Sequence, residues 1–384
     1  MLRPPRFPIL FGLTVAALAL CTPPAPAQSP LSPAALSAYQ TKLAHYERAR
    51  SAYESAASAY WDAVSAKRSL RNEKRRQRLA ITADDYILTQ PPVYTGPPRP
   101  ADPLAPTPPP SEQPPIPVLA DFLKAAADQF GFVPDLPQSD QDFKRAYARA
   151  ASAAGLTQDQ VVGVYAFETG GNGAYNTQAG VSPTRAAAIS PALGYNQLLS
   201  TNTVSLLAEF GNRYLAALRM KAVPLRGEAR HVMDRKVEAL TRMIAYARSV
   251  PNRWREHDKL AKNTLGGWGI HAAVLDIDLG PLLQVQKLAS SVQFARMKGY
   301  TTPLTAAELE LMNLTGDGNG FDMVSMPQDL RERVPTANFF QPQGYERNPV
   351  ARRTGVVANL FADVESKMAK SSQAPGAKNL ASAF

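Results

Sequence analysis

The sequence has few of the residues that form disulfides or bind metals. It has a single cysteine, Cys21, and four histidines, His45, His231, His257 and His271. One cysteine excludes a disulfide within the chain and a thiolate zinc site. The histidines show neither the His-x-x-x-His spacing of a metal site nor a Ser/His/Asp arrangement. The sequence therefore predicts no metal site and no cofactor.

Long apolar runs are also scarce. Arg3 and Arg6 precede a short apolar run at 9–20, and Ala25-Pro26-Ala27 follows it. This pattern predicts a signal peptide over residues 1–27 and a periplasmic or secreted mature protein. No later stretch approaches the roughly 20 apolar residues of a membrane helix. Lipoprotein anchoring at Cys21 is the less favoured alternative, because Leu20 stands where a small residue normally precedes a lipidated cysteine.

The charge balance is strongly basic. The formal net charge is +10, and the predicted signal peptide contributes two of these charges. A basic surface favours polyanionic partners, namely nucleic acid, anionic lipid or a cell-wall polymer. Export makes nucleic acid the least favoured of these. The simple alternative is a basic protein whose charge only keeps it dispersed.

Residues 28–90 carry a heptad pattern. Tyr39, Tyr46, Tyr53 and Tyr60 are spaced seven residues apart. Two apolar positions per heptad form one stripe along a helix, and such a stripe packs on a partner. The segment is either a helix for self-association or for docking on an envelope protein, or a solvated alanine-rich helix. It ends in a basic cluster that we expect to be a solvated face: Lys67, Arg68, Arg71, Lys74, Arg75, Arg76 and Arg78.

Residues 91–117 contain 13 prolines in 27 positions. Such a density excludes helix and sheet and predicts an extended, semi-rigid linker. At about 3 Å per residue, this linker would hold the N-terminal helix several nanometres from the rest of the chain.

Residues 118–350 have the size and the pattern of one mainly α domain. Thr157 with Gln160 matches a capping box, and Ser139, Thr201 and Thr305 are candidate helix caps. We expect a mostly disordered tail over 351–384. The predicted helices are Leu119–Phe130, Asp140–Ala154, Thr157–Glu168, Thr203–Lys221, Ala229–Ser249, Ile270–Lys298 and Ala306–Leu314.

Glu168 is the leading candidate for catalysis. Helical spacing places it on the same face as Val161, Val164 and Tyr165, and Thr-Gly-Gly follows it. Desolvation on such a face raises the pKa of a carboxyl group, as a general acid requires. The glycines end the helix and leave the acid open to a substrate.

Glu168 and two later segments together resemble the soluble lytic transglycosylase domain, which has a lysozyme-like fold. Ala192, Gly194, Gln197 and Leu198 match the Gly-Ala-x-Gly-Leu-x-Gln segment of that family. Leu311-Met312-Asn313-Leu314-Thr315-Gly316 is similar to its Ala-Tyr-Asn-Ala-Gly element, with a long insertion between the two. Pro191, Tyr195 and Met312 depart from the pattern, and Met312 replaces the tyrosine that supports the acid.

The resemblance implies a lysozyme-like, mainly α catalytic domain that cleaves the glycosidic bond between N-acetylmuramic acid and N-acetylglucosamine in peptidoglycan. Glu168 would serve as the single general acid and base, and the product would carry a 1,6-anhydro ring. Gln197, Asn313 and Gly194 would contact sugar groups, while Tyr195 or Tyr165 would contact substrate or replace the missing tyrosine beside Glu168. Trp268 and Phe321 are further candidates for stacking on sugars.

Two other interpretations remain. A lysozyme-type hydrolase needs a second carboxylate about 5 to 9 Å from Glu168, and Asp276, Asp278, Asp317 and Asp322 are distant candidates. A lysozyme-like domain with little or no activity would instead bind glycan within an envelope or secretion assembly. Separately, the stretch from Asp317 to Asp322 resembles the start of a calcium loop but lacks its later glutamate, which favours a Gly-rich turn.

Overall fold

The computed structural model describes residues 32–103, 115–182, 184, 185 and 187–384. The mainly α fold is confirmed: over these residues the chain forms sixteen α-helices and no β-strand, only isolated bridges. None of the described helices is long and apolar enough to cross a bilayer. The predicted signal peptide and Cys21 lie outside the described residues. The helices are α1 Pro33–Arg76, α2 Leu119–Phe130, α3 Asp140–Ala153, α4 Gln158–Thr169, α5 Ser200–Ala222, α6 Gly227–Ala247, α7 Trp254–Asn263, α8 Leu265–His271, α9 Gly280–Met297, α10 Ala306–Thr315, α11 Asp317–Val324, α12 Gln328–Arg331, α13 Pro342–Arg347, α14 Pro349–Thr354, α15 Val357–Ser371 and α16 Pro375–Ala381.

Helix starts follow the predicted capping chemistry in three places. Thr157 and Gln160 form the capping box of α4, with Thr157 N–H donating to Gln160 Oε1 at 2.9 Å. Ser139 and Thr305 cap α3 and α10. The prediction for Thr201 is wrong: it lies inside α5, and its hydroxyl donates to Asp258.

The long helix predicted over 270–298 is interrupted. α8 ends at His271, a 3₁₀ turn covers Ala272–Leu275, and α9 starts at Gly280. A Cβ at position 280 would overlap the Val274 backbone. The close approach of the chain to itself therefore requires glycine where a continuous helix was expected.

The chain divides into two compact units, and the division falls within α1. The described part of the first unit comprises residues 32–53 and 94–103. There the Tyr94 ring packs edge-on against Tyr53, with 5.4 Å between centroids, and against Tyr46, at 6.4 Å. The predicted tyrosine stripe is thus covered in part by the start of the proline-rich segment, so residues 94–103 do not act as a free spacer.

The second unit contains Glu54–Val93 as well as the large C-terminal region. Tyr60 is buried and donates its hydroxyl proton to the Thr89 carbonyl at 3.0 Å, while Trp61 packs edge-on against Tyr345. The prediction that the whole N-terminal helix stands apart from the main domain is wrong. The part of the helix from Glu54 onwards packs on apolar residues far along the chain, as Trp61 does on Tyr345.

The basic cluster is not simply a solvated face. Arg71 has no exposed surface, and its Nε lies 3.2 Å from Asp322 Oδ2. The Arg71 guanidinium also donates to the Asp85 carbonyl and lies 4.5 Å from the centre of the Tyr86 ring. An ion pair, hydrogen bonds and an aromatic face together offset the cost of burying this charge.

The prediction of a disordered tail is also wrong. Residues 351–384 lie mostly in α14, α15 and α16, and α15 buries Leu360, Val364 and Met368. These residues recur at helical spacing and pack into the core around α4. Burial of that apolar stripe stabilises the segment, which composition alone had suggested was unstructured.

α4 lies at the centre of the main core. Val161, Val164 and Tyr165 are fully buried, and α3, α10, α15 and α16 pack around the helix. At its C-terminal end, the loop is held closely against the C-terminal segment, where Gly376 N–H donates to Asn172 Oδ1 at 3.1 Å. The end of α4 is therefore fixed by residues about 200 positions later in the chain.

Two adjacent glycines after α4 allow a test of this close packing. Gly170 and Gly171 both have left-handed backbones, with φ of 65° and 76°. A Cβ at Gly171 would overlap the Ser371 carbonyl oxygen, whereas a Cβ at Gly170 meets nothing within 4 Å. We expect Gly170→Ala to lower the free energy of unfolding by about 1 kcal/mol. Gly171→Ala should lower it by about 2 kcal/mol more, because overpacking is added to the backbone strain. Chemical denaturation measures both values, and equal losses would contradict the packing of the C-terminal segment on this loop.

Candidate functional site

α4 and α10 bring two of the predicted residues together. Glu168 is in the last turn of α4, and Asn313 is in the second half of α10. Asn313 Nδ2 donates to Glu168 Oε1 at 3.0 Å. Residues 145 positions apart thus form a direct contact, as expected if both belong to one site.

Burial raises the pKa of Glu168 to about 7, and hydrogen bonds from Glu310 and Asn313 and the charge of Lys367 moderate this rise. A carboxyl group with such a pKa is protonated in a useful fraction of molecules at neutral pH. It can therefore donate a proton and later accept one. The sequence prediction of a desolvated acid at this position agrees with the structure.

Glu310 is the residue that the sequence reasoning missed. It has no exposed surface and lies on α10, three residues before Asn313. Burial, and next the charge of Glu168, raise its pKa well above the usual range. Neither oxygen of its carboxyl accepts a hydrogen bond from an N–H or hydroxyl donor of the described residues. Its position between Leu309 and Leu311 was the available signal, because an acid surrounded by apolar residues on a buried helix needs a partner.

The loop from Gly194 to Gln197 forms another side of the site. Leu193 and Leu198 exchange two backbone hydrogen bonds, of 3.0 and 2.9 Å, across this turn. Gly194 has φ of 78°, and a Cβ there would lie 2.8 Å from Gln284 Nε2, so the tight turn against α9 requires glycine.

A second contact with α9 fixes the same loop. The buried Asn196 receives a hydrogen bond from Tyr147 at 2.7 Å, and its own amide donates to the Gln284 carbonyl at 2.9 Å. Gln197 has φ of 44°, and its amide donates to the carbonyls of Thr177 and Gly194. The loop is therefore rigid, as a substrate-positioning element should be.

A groove of about 360 Å³ opens at these residues. Glu168, Gln197 and Asn313 all line it, which places three of the predicted residues at one surface. Gly194 supports the loop but is not among the lining residues. The full lining is Glu168, Ala179, Ala192, Gln197, Leu198, Leu199, Asn202, Asn313 and Leu314.

The prediction that Tyr195 and Tyr165 contact substrate is wrong. Both are fully buried, and their rings pack edge-on at 4.9 Å between centroids. The Tyr195 hydroxyl donates to Asp140 at 2.8 Å, and the Tyr165 hydroxyl donates to the Gly173 carbonyl at 2.7 Å. Neither hydroxyl is therefore available to Glu168. Met312 is also buried, and Asn313 and Glu310 are the polar partners of the acid.

A second groove, of about 560 Å³, shares Leu199, Asn202, Asn313 and Leu314 with the first. Trp254, at the start of α7, lines it and is 54% exposed. An exposed aromatic face beside amide and hydroxyl groups suits a sugar ring. The earlier stacking candidates do not lie here, because Phe321 is buried in the core and Trp268 lines neither groove.

Of the four acids proposed as a second catalytic carboxylate, three are held in ion pairs away from both grooves and the fourth is bonded within the second groove. Asp276 and Asp278 both pair with the buried Lys236, at 2.9 and 2.7 Å. Asp322 pairs with Arg71. Asp317 lines the second groove, but its carboxylate accepts from Ser291 Oγ at 2.6 Å.

The calcium-loop resemblance and the favoured Gly-rich turn are both wrong. Residues Asp317–Val324 form α11, so the acids do not converge as they would in a loop. Among the described residues, no group of three or more His, Cys, Asp or Glu side chains is placed to bind a metal ion.

One serine and one histidine approach each other near the second groove. Ser205 Oγ lies 2.8 Å from His257 Nδ1, and Ser205 is one of the lining residues. Ser205 is inside α5, where the backbone N–H groups serve the helix and leave no oxyanion hole. Asp258 bonds Thr201 rather than His257. The pair is therefore a structural hydrogen bond and not a nucleophile with its base.

No protein-family model matches this chain, and neither a curated protein nor a solved structure matches it. What the protein does is therefore inferred from the geometry and chemistry of the site.

Removal of the Asn313 amide tests the electrostatics of the site. We expect Asn313→Ala to raise the pKa of Glu168 by about one unit, because a hydrogen bond to a charged group is worth roughly 1.5 kcal/mol or more. NMR titration of carbon-labelled glutamate side chains measures the shift. Asn319→Ala is the control, since the Asn319 amide donates to the Thr315 carbonyl instead. An unchanged pKa of Glu168 in Asn313→Ala would show that the contact does not stabilise the carboxylate.

Proposed function

We propose that the protein is a peptidoglycan lytic transglycosylase with Glu168 as its single general acid and base. The observation that carries the proposal is the position of Glu168. Its desolvated carboxyl has a pKa of about 7, bonds Asn313, and lines an open groove with Gln197. The resemblance of the three sequence segments to the soluble lytic transglycosylase domain supplies the substrate and the reaction.

In the proposed reaction, Glu168 first donates its proton to the glycosidic oxygen between N-acetylmuramic acid and N-acetylglucosamine. The bond from that oxygen to the anomeric carbon breaks. The Glu168 carboxylate then takes the proton of the C6 hydroxyl of the same muramic acid, whose oxygen bonds the anomeric carbon. This closes the 1,6-anhydro ring, restores the protonated acid and consumes no water.

The placement of the other acids favours this mechanism over hydrolysis. Retaining and inverting hydrolases use two carboxyl groups roughly 5 to 9 Å apart across the scissile bond. Glu310 is within hydrogen-bonding reach of Glu168 and is fully buried, so it can neither contact a sugar nor position a water in the groove. Asp276, Asp278 and Asp322 are held in ion pairs by Lys236 and Arg71.

The partner that we propose is therefore the glycan strand of peptidoglycan, in the periplasm or outside the cell. The positive net charge is compatible with an anionic wall polymer. Self-association or docking on an envelope protein through the heptad stripe stays a prediction.

Digestion of purified sacculi tests the activity. We expect the wild-type chain to release muropeptides with anhydro ends, and Glu168→Gln to reduce the release about a hundredfold or more, since general acid–base catalysis contributes at least that much. Mass spectrometry of the released fragments gives the result. Glu308→Gln on α10 should keep full activity, because glutamine retains the capping box with Thr305. Reducing ends would indicate a hydrolase. Binding of sacculi without any release would indicate a domain that only binds glycan.

The second groove generates a separate prediction. If the Trp254 ring stacks on a sugar, Trp254→Ala should raise KM for glycan strands about fivefold with little change in kcat, because the lost contact serves binding alone. Trp254→Phe should keep most of the affinity. Leu265 has the same 54% exposure and lines neither groove, so Leu265→Ala is the control. An unchanged KM in Trp254→Ala would remove the second groove from the binding site.

A further inference from the structure

Glu310 is a fully buried carboxyl group, and the reaction as written does not use it. It lies on α10 between Leu309 and Leu311, and all three side chains are without exposed surface. An unpaired carboxylate in such a place would cost several kcal/mol. Either the group is neutral, or it has a partner that tolerates its charge.

In the described part of the chain, the carboxyl of Glu310 accepts no hydrogen bond from the donors that usually hold a buried carboxylate. Among the described residues, no N–H or hydroxyl group donates to either of its oxygens. The Asn313 amide, one helical turn further along α10, is directed to Glu168 Oε1 instead. The Asn313 amide is nevertheless close enough to lower the pKa of Glu310, and the Glu168 carboxyl is the other side chain within hydrogen-bonding reach.

Charged groups on the helices around α10 do not neutralise Glu310. From α15, Lys367 lowers the pKa of both acids, but it lies 3.8 Å above the Phe167 ring and is exposed rather than paired with them. From α9 and α11, Lys287 and Asp317 face each other at 3.8 Å. Asp322, also on α11, is paired with Arg71. The proton on Glu310 is thus the main means of removing its charge.

We propose that Glu310 is a positioning residue for Glu168: a protonated Glu310 donates a hydrogen bond to the Glu168 carboxyl, and the two side chains titrate as a pair. Two neighbouring carboxyl groups that are largely removed from water do not readily both ionise, so one proton stays between them over a wide pH range. The donor role of Glu310 rests on the proposed function of Glu168, whereas the shared proton does not.

The pair has a consequence for the second half of the proposed reaction. After Glu168 has given up its proton, its carboxylate accepts hydrogen bonds from Asn313 and from Glu310. Two donors fix the orientation of the carboxylate while it removes the proton of the C6 hydroxyl. They also stabilise the charge at the moment when it is needed as a base.

Stability as a function of pH tests the shared proton without substrate. Both acids have folded-state pKa values raised above those of the unfolded chain, so the stability that these two groups contribute is greatest below about pH 4.5 and is lost as pH rises. The contribution of Glu168 is lost by about pH 7, and that of Glu310 is lost as pH rises through its own raised pKa. For each extra proton that the folded chain holds, the unfolding equilibrium constant rises tenfold per pH unit.

The comparison uses the full chain with Glu310→Gln and the control Glu308→Gln. Between about pH 5 and 7, we expect the unfolding constant of the wild type and of the control to rise more steeply than that of Glu310→Gln, by about tenfold per pH unit. Denaturant titrations at each pH give the values, and contributions from the histidines cancel in the comparison. Identical slopes in the wild type and in Glu310→Gln would show that Glu310 holds no proton in this range and would overturn the proposal.

A kinetic measurement tests the positioning role. Glu310→Met removes the donor, and we expect kcat to fall on the order of tenfold or more at an unchanged KM. Glu310→Gln keeps an N–H donor and should restore most of the rate. Equal losses in both variants, or a loss expressed in KM, would contradict positioning. If Glu168→Gln has no effect on product release, the proposed function fails, while the stability test of the shared proton still stands.

Discussion

The desolvated carboxyl group of Glu168 is the constraint on which the site depends. A carboxyl group that loses its water shell favours the protonated form. Glu168 meets this condition at the end of a buried helix, and hydrogen bonds from Glu310 and Asn313 limit the rise of its pKa by stabilising the anion. The balance leaves an acid that is close to half-protonated at neutral pH, where it can both donate and accept a proton.

Distant parts of the chain maintain this balance. The loop after α4 is held by the C-terminal segment, through Asn172 and Gly376, and α15 places Lys367 near both acids. On another side, the buried pair of Arg71 and Asp322 connects α1 to α11, which directly follows the helix that carries Glu310 and Asn313. The first and the last helices of the second unit therefore both restrain the elements that carry the two acids.

Much of the local structure was predictable from the sequence. The start of α4 follows from the capping box of Thr157 and Gln160, and its end follows from the glycines after Glu168, because these signals are local. The helical spacing of Leu360, Val364 and Met368 in α15 was also present in the sequence. The polar composition at 371–376 nevertheless led to the wrong prediction of a disordered tail. Packing between distant segments left no such signal. Arg71 resembles any exposed arginine of a basic run until Asp322, 251 residues later, is placed beside it.

The candidate site was predictable to the extent that its residues follow motifs. Glu168, Gln197 and Asn313 share one groove, as the order of the segments indicated. Tyr165 and Tyr195 were misassigned because an aromatic residue near a site looks the same in sequence whether it lines the groove or fills the core. Glu310 was missed because its importance lies in its contact with Glu168 across two helices, and no spacing rule connects positions 168 and 310.

The origin of the oxygen in the product distinguishes ring closure by the C6 hydroxyl from attack by water. Sacculi are digested with the wild-type chain in water labelled with heavy oxygen, and the released muropeptides are analysed by mass spectrometry. Ring closure by the C6 hydroxyl uses only oxygen from the substrate, so we expect anhydro-muropeptides without label. Muropeptides with a reducing end that carries one labelled oxygen would show that water attacks the anomeric carbon, and would contradict the assignment of Glu168 as a single acid and base.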